Sequence, residues 1–186
     1  MKPFLTANWR YLTMLNFVVD PAIIAPLVPP GAELDYENGE TFVSVVGFLF
    51  LDTRLLGLPI PFHRDFEEVN LRFYVRKKSA DTWRRGRKWE SLTMTATGEP
   101  ENIPACSHAE FITQHYWGYT CVRGGCSEYR VNHPRWKIWN ANNFEFRGDT
   151  AALYGQQFVE TLSAPPRSAF IAEGSPITIE RREIVW

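Results

Sequence analysis

Apolar and polar positions alternate along much of this chain, and the pattern predicts a protein built mostly of strands. Trp9 to Val19 and Trp89 to Thr97 alternate with a period of two, and Thr41 to Leu51 is a largely apolar run after the turn pair Asn38-Gly39. The other predicted extended segments are Glu68 to Arg76, Phe111 to Thr120 towards its end, Glu128 to Val131 after Gly124-Gly125, and two strands around Gly174-Ser175-Pro176.

Two segments carry helix signals. Asp20-Pro21 predicts the start of a short helix that ends at Pro29-Pro30-Gly31. Asp149 to Ser163 is the clearest helix, with apolar residues four apart and a stop at Pro165-Pro166. We therefore expect roughly eight strands and two helices in one α+β domain spanning residues 1–186, with a curved or closed antiparallel sheet and the helices packed outside.

The composition predicts a soluble protein. The 186 residues are 45% hydrophobic and 15% aromatic, which suits a β-rich core, and the net charge of −1 provides no general attraction for nucleic acid or anionic membranes. The longest apolar stretch, Phe42 to Leu51, is too short to cross a bilayer, and no signal-peptide pattern is present. Three cysteines are an odd number, which favours reduced thiols. We expect a cytoplasmic protein with no membrane or nucleic-acid partner.

Polar side chains occupy one face of the strand from Glu68 to Arg76. At a period of two, Glu68, Asn70, Arg72 and Tyr74 lie on the face opposite to Val69, Leu71, Phe73 and Val75. The polar row could face water, as on many antiparallel sheets, or line a cavity inside a small barrel. An acid, an amide, a guanidinium and a phenol together can form a closed hydrogen-bond network, and on periodicity alone the two interpretations stay open.

Other clusters favour plain structural interpretations. The pair Lys77-Lys78 at a strand end is typical of a solvated end rather than of a reactive amine. Cys121 and Cys126, with His115 or His133, fall short of the close ligand pairs of a zinc site, so no metal is expected. The basic run from Arg84 to Lys88 could form a nucleic-acid-binding patch, but the net charge of −1 argues against nucleic-acid binding. Neither a nucleophile elbow nor a phosphate-binding glycine loop is present.

Several stretches, in order along nearly the whole chain, resemble one bacterial family, the YqjF-like proteins or domain of unknown function 2071. The matching stretches are Trp9-Arg10-Tyr11-Leu12, Val19-Asp20-Pro21 through Gly31, Val45-Val46-Gly47-Phe48, Pro59 to Phe62, Phe66 to Val75, His115 to Tyr119, His133-Pro134-Arg135-Trp136, Pro165 to Phe170 and Glu173-Gly174-Ser175-Pro176. The family is uncharacterised. The resemblance implies a fold like that of acetoacetate decarboxylase, a conical antiparallel β-barrel with a few peripheral helices and a polar-lined cavity.

The resemblance also suggests roles for single residues. In acetoacetate decarboxylase-like enzymes an early Arg binds the substrate carboxylate and a strand Glu assists proton transfer, and Arg10 and Glu68 resemble these two by motif position. The Schiff-base lysine pair does not carry over. Similarity runs to Trp83-Arg84-Arg85-Gly86 and resumes at Arg87-Lys88-Trp89, which indicates a missing segment near residues 84–89. A natural deletion, an engineered deletion or an omitted segment would each explain this junction.

The leading hypothesis is a domain that binds a small carboxylate or oxo-acid in a polar barrel cavity. Arg10 and Arg72 would supply positive charge, while Glu68, Asn70 and Tyr74 would orient polar atoms of the ligand. The alternatives are a decarboxylase or hydrolase acting on a small oxo-acid, and a structural or interaction domain without catalysis. Whether the chain is an enzyme stays open, because no complete catalytic constellation is identifiable. No cofactor is expected, and homo-oligomerisation is left open.

Overall fold

A computed structural model describes residues 3–76, 80–85, 89–122, 125–181 and 183–184. Within these residues the fold is a mostly antiparallel sheet of thirteen strands with a few short helices, which agrees with the predicted α+β class. The strands are β1 (Leu5–Val19), β2 (Glu33–Leu34), β3 (Thr41–Leu55), β4 (Leu58–Pro59), β5 (Phe66–Arg76), β6 (Ala80–Arg85), β7 (Trp89–Ala96), β8 (Glu101–Asn102), β9 (Trp117–Val122), β10 (Gly125–Asn132), β11 (Lys137–Gly148), β12 (Ser168–Ile179) and β13 (Glu183–Ile184). The α-helices are α1 (Pro21–Ile24), α2 (His108–Thr113), α3 (Thr150–Tyr154) and α4 (Val159–Ser163), and short 3₁₀ turns cover Ala25–Leu27 and Gln156–Phe158.

The long strands β1, β3, β5 and β12 form the centre of the sheet. The order of hydrogen-bonded neighbours is β13-β10-β9-β6-β5-β3-β1-β12-β11-β7, and β6 with β9 is a parallel pair. A short additional pairing joins β10 to β12, with Val131 opposite Ile179. The closed conical barrel stays a prediction.

Two apolar clusters pack on the two faces of this sheet. One includes Val69, Leu71 and Phe73 of β5 together with Phe158 beside α4. The other includes Trp9 of β1 with further aromatic side chains, and this is the face that carries the polar row of β5. Burying both faces of β5 fixes its register, because a shift by one residue would exchange the two sets of side chains.

The local signals of α1 and of the first hairpin turn are confirmed. Asp20 caps α1, since its Oδ1 accepts a hydrogen bond of 2.8 Å from Ala22 N. Asn38 and Gly39 have φ of 51° and 83°, and Glu37 and Glu40 exchange two backbone hydrogen bonds across the turn.

Several other segments differ from the sequence prediction. The extended segment expected from Phe111 begins as α2, and only β9 at its end is a strand. The helix expected over Asp149 to Ser163 is divided at Gly155, whose φ of 110° is incompatible with a continuous helix. The tail expected as two strands around Gly174 is one strand, β12, and β11 was not predicted.

The cysteines also differ from the expectation of reduced thiols. Cys126 is in a disulfide, and its cross-strand neighbour in the β9–β10 ladder is Cys121, whereas Cys106 is a free thiol. In the part of the chain described, no helix has the length and apolar character needed to traverse a membrane.

Candidate functional site

A cavity of about 250 Å³ lies against the polar face of β5. Its walls come from β1, β3, β5, β10 and β12, from α2, and from the segments that follow α2 and β10. Most of the wall is apolar and aromatic, and its aromatic residues include Trp9, Phe48, Phe50, Phe66 and Trp136. The cavity is small in comparison with typical ligand pockets, which run from roughly 300 to 1,000 Å³.

The polar row of β5 supplies the charged part of the lining. Glu68, Asn70 and Arg72 line the cavity, and only 8% of Glu68 and 2% of Asn70 are exposed to solvent. This burial excludes the interpretation of a solvated sheet face. Burying a carboxylate beside a half-buried guanidinium carries a desolvation cost, so a site that keeps both is typical of a functional cavity rather than of a packed core.

The other two predicted site residues lie outside the cavity wall. Tyr74 is 2% exposed, and its hydroxyl is 2.6 Å from Ser44 Oγ, in the sheet rather than at the cavity surface. Arg10 is half-buried, and its Nη1 donates to the carbonyl oxygen of Gly174 at 3.4 Å. A register shift in the β1–β3 ladder between Arg10 and Thr13 brings Trp9, instead of Arg10, onto the cavity face.

Aromatic rings surround the Arg72 guanidinium. Its Cζ lies 6.0 Å from the centroid of the Trp9 ring and 5.6 Å from that of Phe48. Cation–π attraction at these distances holds the positive charge in place within a low-dielectric wall. A charge placed in this way interacts strongly with an anion that enters the cavity.

The cavity wall includes buried polar atoms of Asn70 and Trp9 that have no hydrogen-bond partner among the described residues. They are the acceptor Oδ1 of Asn70 and the donor Nε1 of Trp9. A buried polar atom without a partner costs about 1–3 kcal/mol. A ligand with one hydrogen-bond donor and one acceptor would remove both costs. These two atoms therefore suggest which polar groups a ligand of this cavity carries.

His115 and His133, considered above as zinc ligands, also line the cavity. His115 Nε2 donates to the carbonyl oxygen of Phe111 in α2, and the imidazole lies 4.8 Å from the Tyr74 ring. His133 stacks on Trp136 with centroids 4.0 Å apart. Local sequence carries no signal for these contacts, because both histidines reach β5 only through the tertiary fold.

Reactive-amine and metal chemistry find no support in the described residues. The only lysine among them is Lys137, which is exposed on β11. The pair Lys77-Lys78 and much of the basic run, residues 86–88, lie outside the described residues. The part of the chain that the structure describes has no group of three or more His, Cys, Asp or Glu side chains placed to hold a metal ion.

The backbone is similar to several solved structures. Acetoacetate decarboxylase from Legionella pneumophila matches with a TM-score of 0.62 and 12% identity over 99% of this chain and 87% of that chain. An acetoacetate decarboxylase-like enzyme from Sphingomonas wittichii matches with a TM-score of 0.58 and 11% identity over 100% and 94%. The enduracididine biosynthesis enzyme MppR, complexed with pyruvate, matches with a TM-score of 0.56 and 11% identity over 99% and 91%. At these identities the likeness shows the fold alone.

Sequence comparison identifies the family. The uncharacterized protein YqjF of Bacillus subtilis is 39% identical over 72 residues, which are 38% of this chain and 30% of that protein, so the match spans less than a third of its length. The model of domain of unknown function 2071, described as an uncharacterized conserved protein, matches residues 6–87 and 82–176. This chain therefore belongs to the family of domain of unknown function 2071.

Proposed function

We propose that this chain binds a small carboxylic acid with an apolar body, of the oxo-acid class, in the cavity beside β5. The observation that carries the proposal is the polar row of buried Glu68, buried Asn70 and half-buried Arg72 inside an aromatic wall. The wall suits an apolar body, and the Arg72 guanidinium suits a carboxylate.

The unpartnered atoms of the wall refine the ligand class. Trp9 Nε1 can donate to a carbonyl or carboxylate oxygen, and Asn70 Oδ1 can accept from a hydroxyl group. An oxo-acid in its enol form, or the corresponding hydroxy-acid, offers an acceptor and a donor on adjacent carbons. The similarity in fold to MppR, whose structure holds pyruvate, supports an oxo-acid of modest size.

Within the cavity, the described side chains favour binding over Schiff-base catalysis. Glu68 is a buried carboxyl group in the cavity and could transfer a proton, but the described lysine, Lys137, lies on the outer surface. A Schiff-base mechanism needs an amine in the cavity. Reaction with an oxo-acid and borohydride, followed by intact mass measurement, separates the two functions, because only an imine is trapped covalently.

Isothermal titration calorimetry with phenylpyruvate, and with pyruvate for comparison, tests the proposal. Arg72→Met should weaken phenylpyruvate binding by about 10-fold or more, since charge-assisted hydrogen bonds contribute about 1.5–3 kcal/mol. Arg76→Met is the matched control, because Arg76 lies on the same strand but is exposed and pairs with Asp35 at 3.3 Å. Equal affinities of the two variants, or no binding of either acid at millimolar concentration, would contradict the proposal.

A further inference from the structure

A serine, a histidine and a glutamate from three separate parts of the chain form a hydrogen-bonded chain outside the cavity. Ser168 Oγ, at the start of β12, lies 2.9 Å from His108 Nε2, at the start of α2. The other imidazole nitrogen, Nδ1, bonds to a carboxylate oxygen of Glu37, in the turn before β3. None of the three lines the cavity beside β5.

The positions of these groups suit a relay from Ser168 to Glu37. With a carboxylate at Glu37 accepting from His108 Nδ1, the Nε2 atom presents a lone pair to Ser168 Oγ. Asn16 Nδ2 donates to Ser168 Oγ at 2.8 Å, which leaves the Ser168 proton directed at His108. The Asn16 amide is itself held, because Ser44 Oγ donates to its Oδ1 at 2.6 Å.

The surroundings suit a reactive group that a substrate can reach. The side chains of His108 and Glu37 are 25% and 15% exposed, and Ser168 is half-buried, whereas Asn16 beneath them is fully buried. The ring of Phe42 packs beside the imidazole, with centroids 4.8 Å apart. A nucleophile, a base and an orienting carboxylate in hydrogen-bonded order are the arrangement that activates serine for acyl transfer.

Ordinary hydroxyl groups in this chain are bonded differently. Ser163 Oγ donates to the carbonyl oxygen of Val159 at 2.7 Å, and Ser127 Oγ donates to that of Thr120 at 3.2 Å. A carbonyl oxygen cannot take the proton away at neutral pH, so these serines stay unreactive. Ser168 differs because its acceptor is an imidazole nitrogen.

We propose that Ser168 is a nucleophile that accepts an acyl group from small activated esters, with His108 as its base and Glu37 orienting the imidazole. Ser168 Oγ forms a bond to the carbonyl carbon while its proton moves to His108 Nε2. The tetrahedral adduct collapses by breaking the bond to the ester oxygen, and His108 returns the proton to the leaving alcohol. Water then attacks the acyl-serine with His108 again as base, which releases a carboxylic acid and regenerates Ser168.

Labelling with a fluorophosphonate tests this site directly. Attack by Ser168 at phosphorus expels fluoride and leaves a stable adduct, so intact mass measurement and peptide mapping should find one phosphonylated residue, Ser168. Ser168→Ala should abolish labelling, and His108→Gln should slow it by about 10²-fold or more, as expected for loss of a general base. Glu37→Gln should also slow labelling. Ser163→Ala is the matched control and should be labelled like the unaltered protein.

The outcome is separable from the fate of the cavity proposal. A cooperative thermal unfolding transition would show that the Ser168 and His108 variants are folded, whether or not the cavity binds phenylpyruvate. No adduct, an adduct spread over many hydroxyl groups, or labelling of Ser168 that is indifferent to His108→Gln would overturn the inference. Mapping the adduct on the unaltered protein shows whether Ser168 is the labelled residue even if a variant fails to fold. Release of p-nitrophenolate from p-nitrophenyl acetate, lost in Ser168→Ala, would establish turnover.

Discussion

Gly118 lies directly opposite Tyr129 in the ladder between β9 and β10, and the Tyr129 ring covers the glycine. A Cβ atom built on Gly118 would lie 2.4 Å from Tyr129 Cζ and 2.5 Å from the Tyr129 hydroxyl oxygen. Real Cβ contacts are never so short, and the aromatic ring is rigid, so any side chain at position 118 must displace the whole ring. Tyr129 lines the cavity, which makes this pair a determinant of the cavity's shape.

Gly118→Ala should therefore reduce the affinity for phenylpyruvate and lower stability by about 1–3 kcal/mol, the usual cost of overpacking. Calorimetric titration and urea denaturation measure the two effects. The double variant Gly118→Ala/Tyr129→Ala should lose less stability than the sum of its single variants, because the clash is absent without the ring. Simple additivity of the two changes would show that the ring does not depend on Gly118.

Two buried asparagines in neighbouring parts of the sheet predict opposite responses to the same substitution. Asn70 Oδ1 has no partner among the described residues, whereas both amide atoms of Asn16 are bonded, to Ser44 and Ser168. Asn70→Leu should leave the free energy of unfolding unchanged or raise it, because an unsatisfied acceptor is removed, and should weaken phenylpyruvate binding by about 3- to 10-fold. Asn16→Leu should cost about 1–3 kcal/mol, because it leaves the bonding groups of both serines without their amide partner.

Denaturant titrations and calorimetry of both leucine variants check this pair. A clear loss of stability in Asn70→Leu would mean that Oδ1 contributes to the ligand-free fold. Unchanged affinity in the same variant would mean that the ligand does not use this atom.

Glu68 and Arg10 show which site residues could be placed from the sequence and which could not. The polar face of β5 was predictable because the strand keeps its period of two without interruption, so Glu68, Asn70 and Arg72 share one face. β1 does not keep its period. Tyr11 has a φ of 52°, and the register against β3 shifts between Arg10 and Thr13, so Arg10 does not share a face with Leu12 as an uninterrupted alternation would require.

Other differences have separate causes. The start of α2 was available in the sequence, because Ser107 and Glu110 have the spacing of a capping box, and Ser107 Oγ accepts from Glu110 N at 3.2 Å. The aromatic spacing after Phe111 favoured a strand and obscured this signal. By contrast, no local pattern brings Trp9, His115 and His133 to one cavity, since their proximity depends on strand order and not on spacing.

We expect the Glu110 carboxyl at the start of α2 to stabilise the fold in a way that depends on pH. The backbone N–H of Cys106 and then the Arg135 guanidinium, 2.6 Å away, hold the pKa of the Glu110 carboxyl below its usual value of 4.5. A carboxyl group with a depressed pKa stabilises the fold above its unfolded pKa, and this stabilisation is lost as pH falls through the folded pKa. Glu110→Gln should lower the thermal midpoint at pH 7, and the difference from the unaltered protein should shrink as the pH falls below about 4.5. A constant difference across this pH range would show that the charge of Glu110 is not what stabilises the capped turn.

We expect the buried Tyr154 hydroxyl to make the free energy of unfolding fall as the pH rises in the alkaline range. Burial raises the pKa of the Tyr154 hydroxyl to about 12, from the usual 10.0. In the unfolded chain the phenol ionises near pH 10, while the folded protein keeps its proton up to about pH 12, so the unfolded state binds fewer protons in this window and stability falls as pH rises. The loss approaches about 1.4 kcal/mol per pH unit for one such group. Tyr154→Phe should therefore make the fall of stability with pH less steep. Some pH dependence should remain, because the pKa of Tyr119 is also raised, by burial and then by its hydrogen bond to Glu128. Urea denaturation between pH 9 and about pH 12 measures the slope, and equal slopes in the two proteins would mean that Tyr154 ionises as readily in the folded state as in the unfolded one.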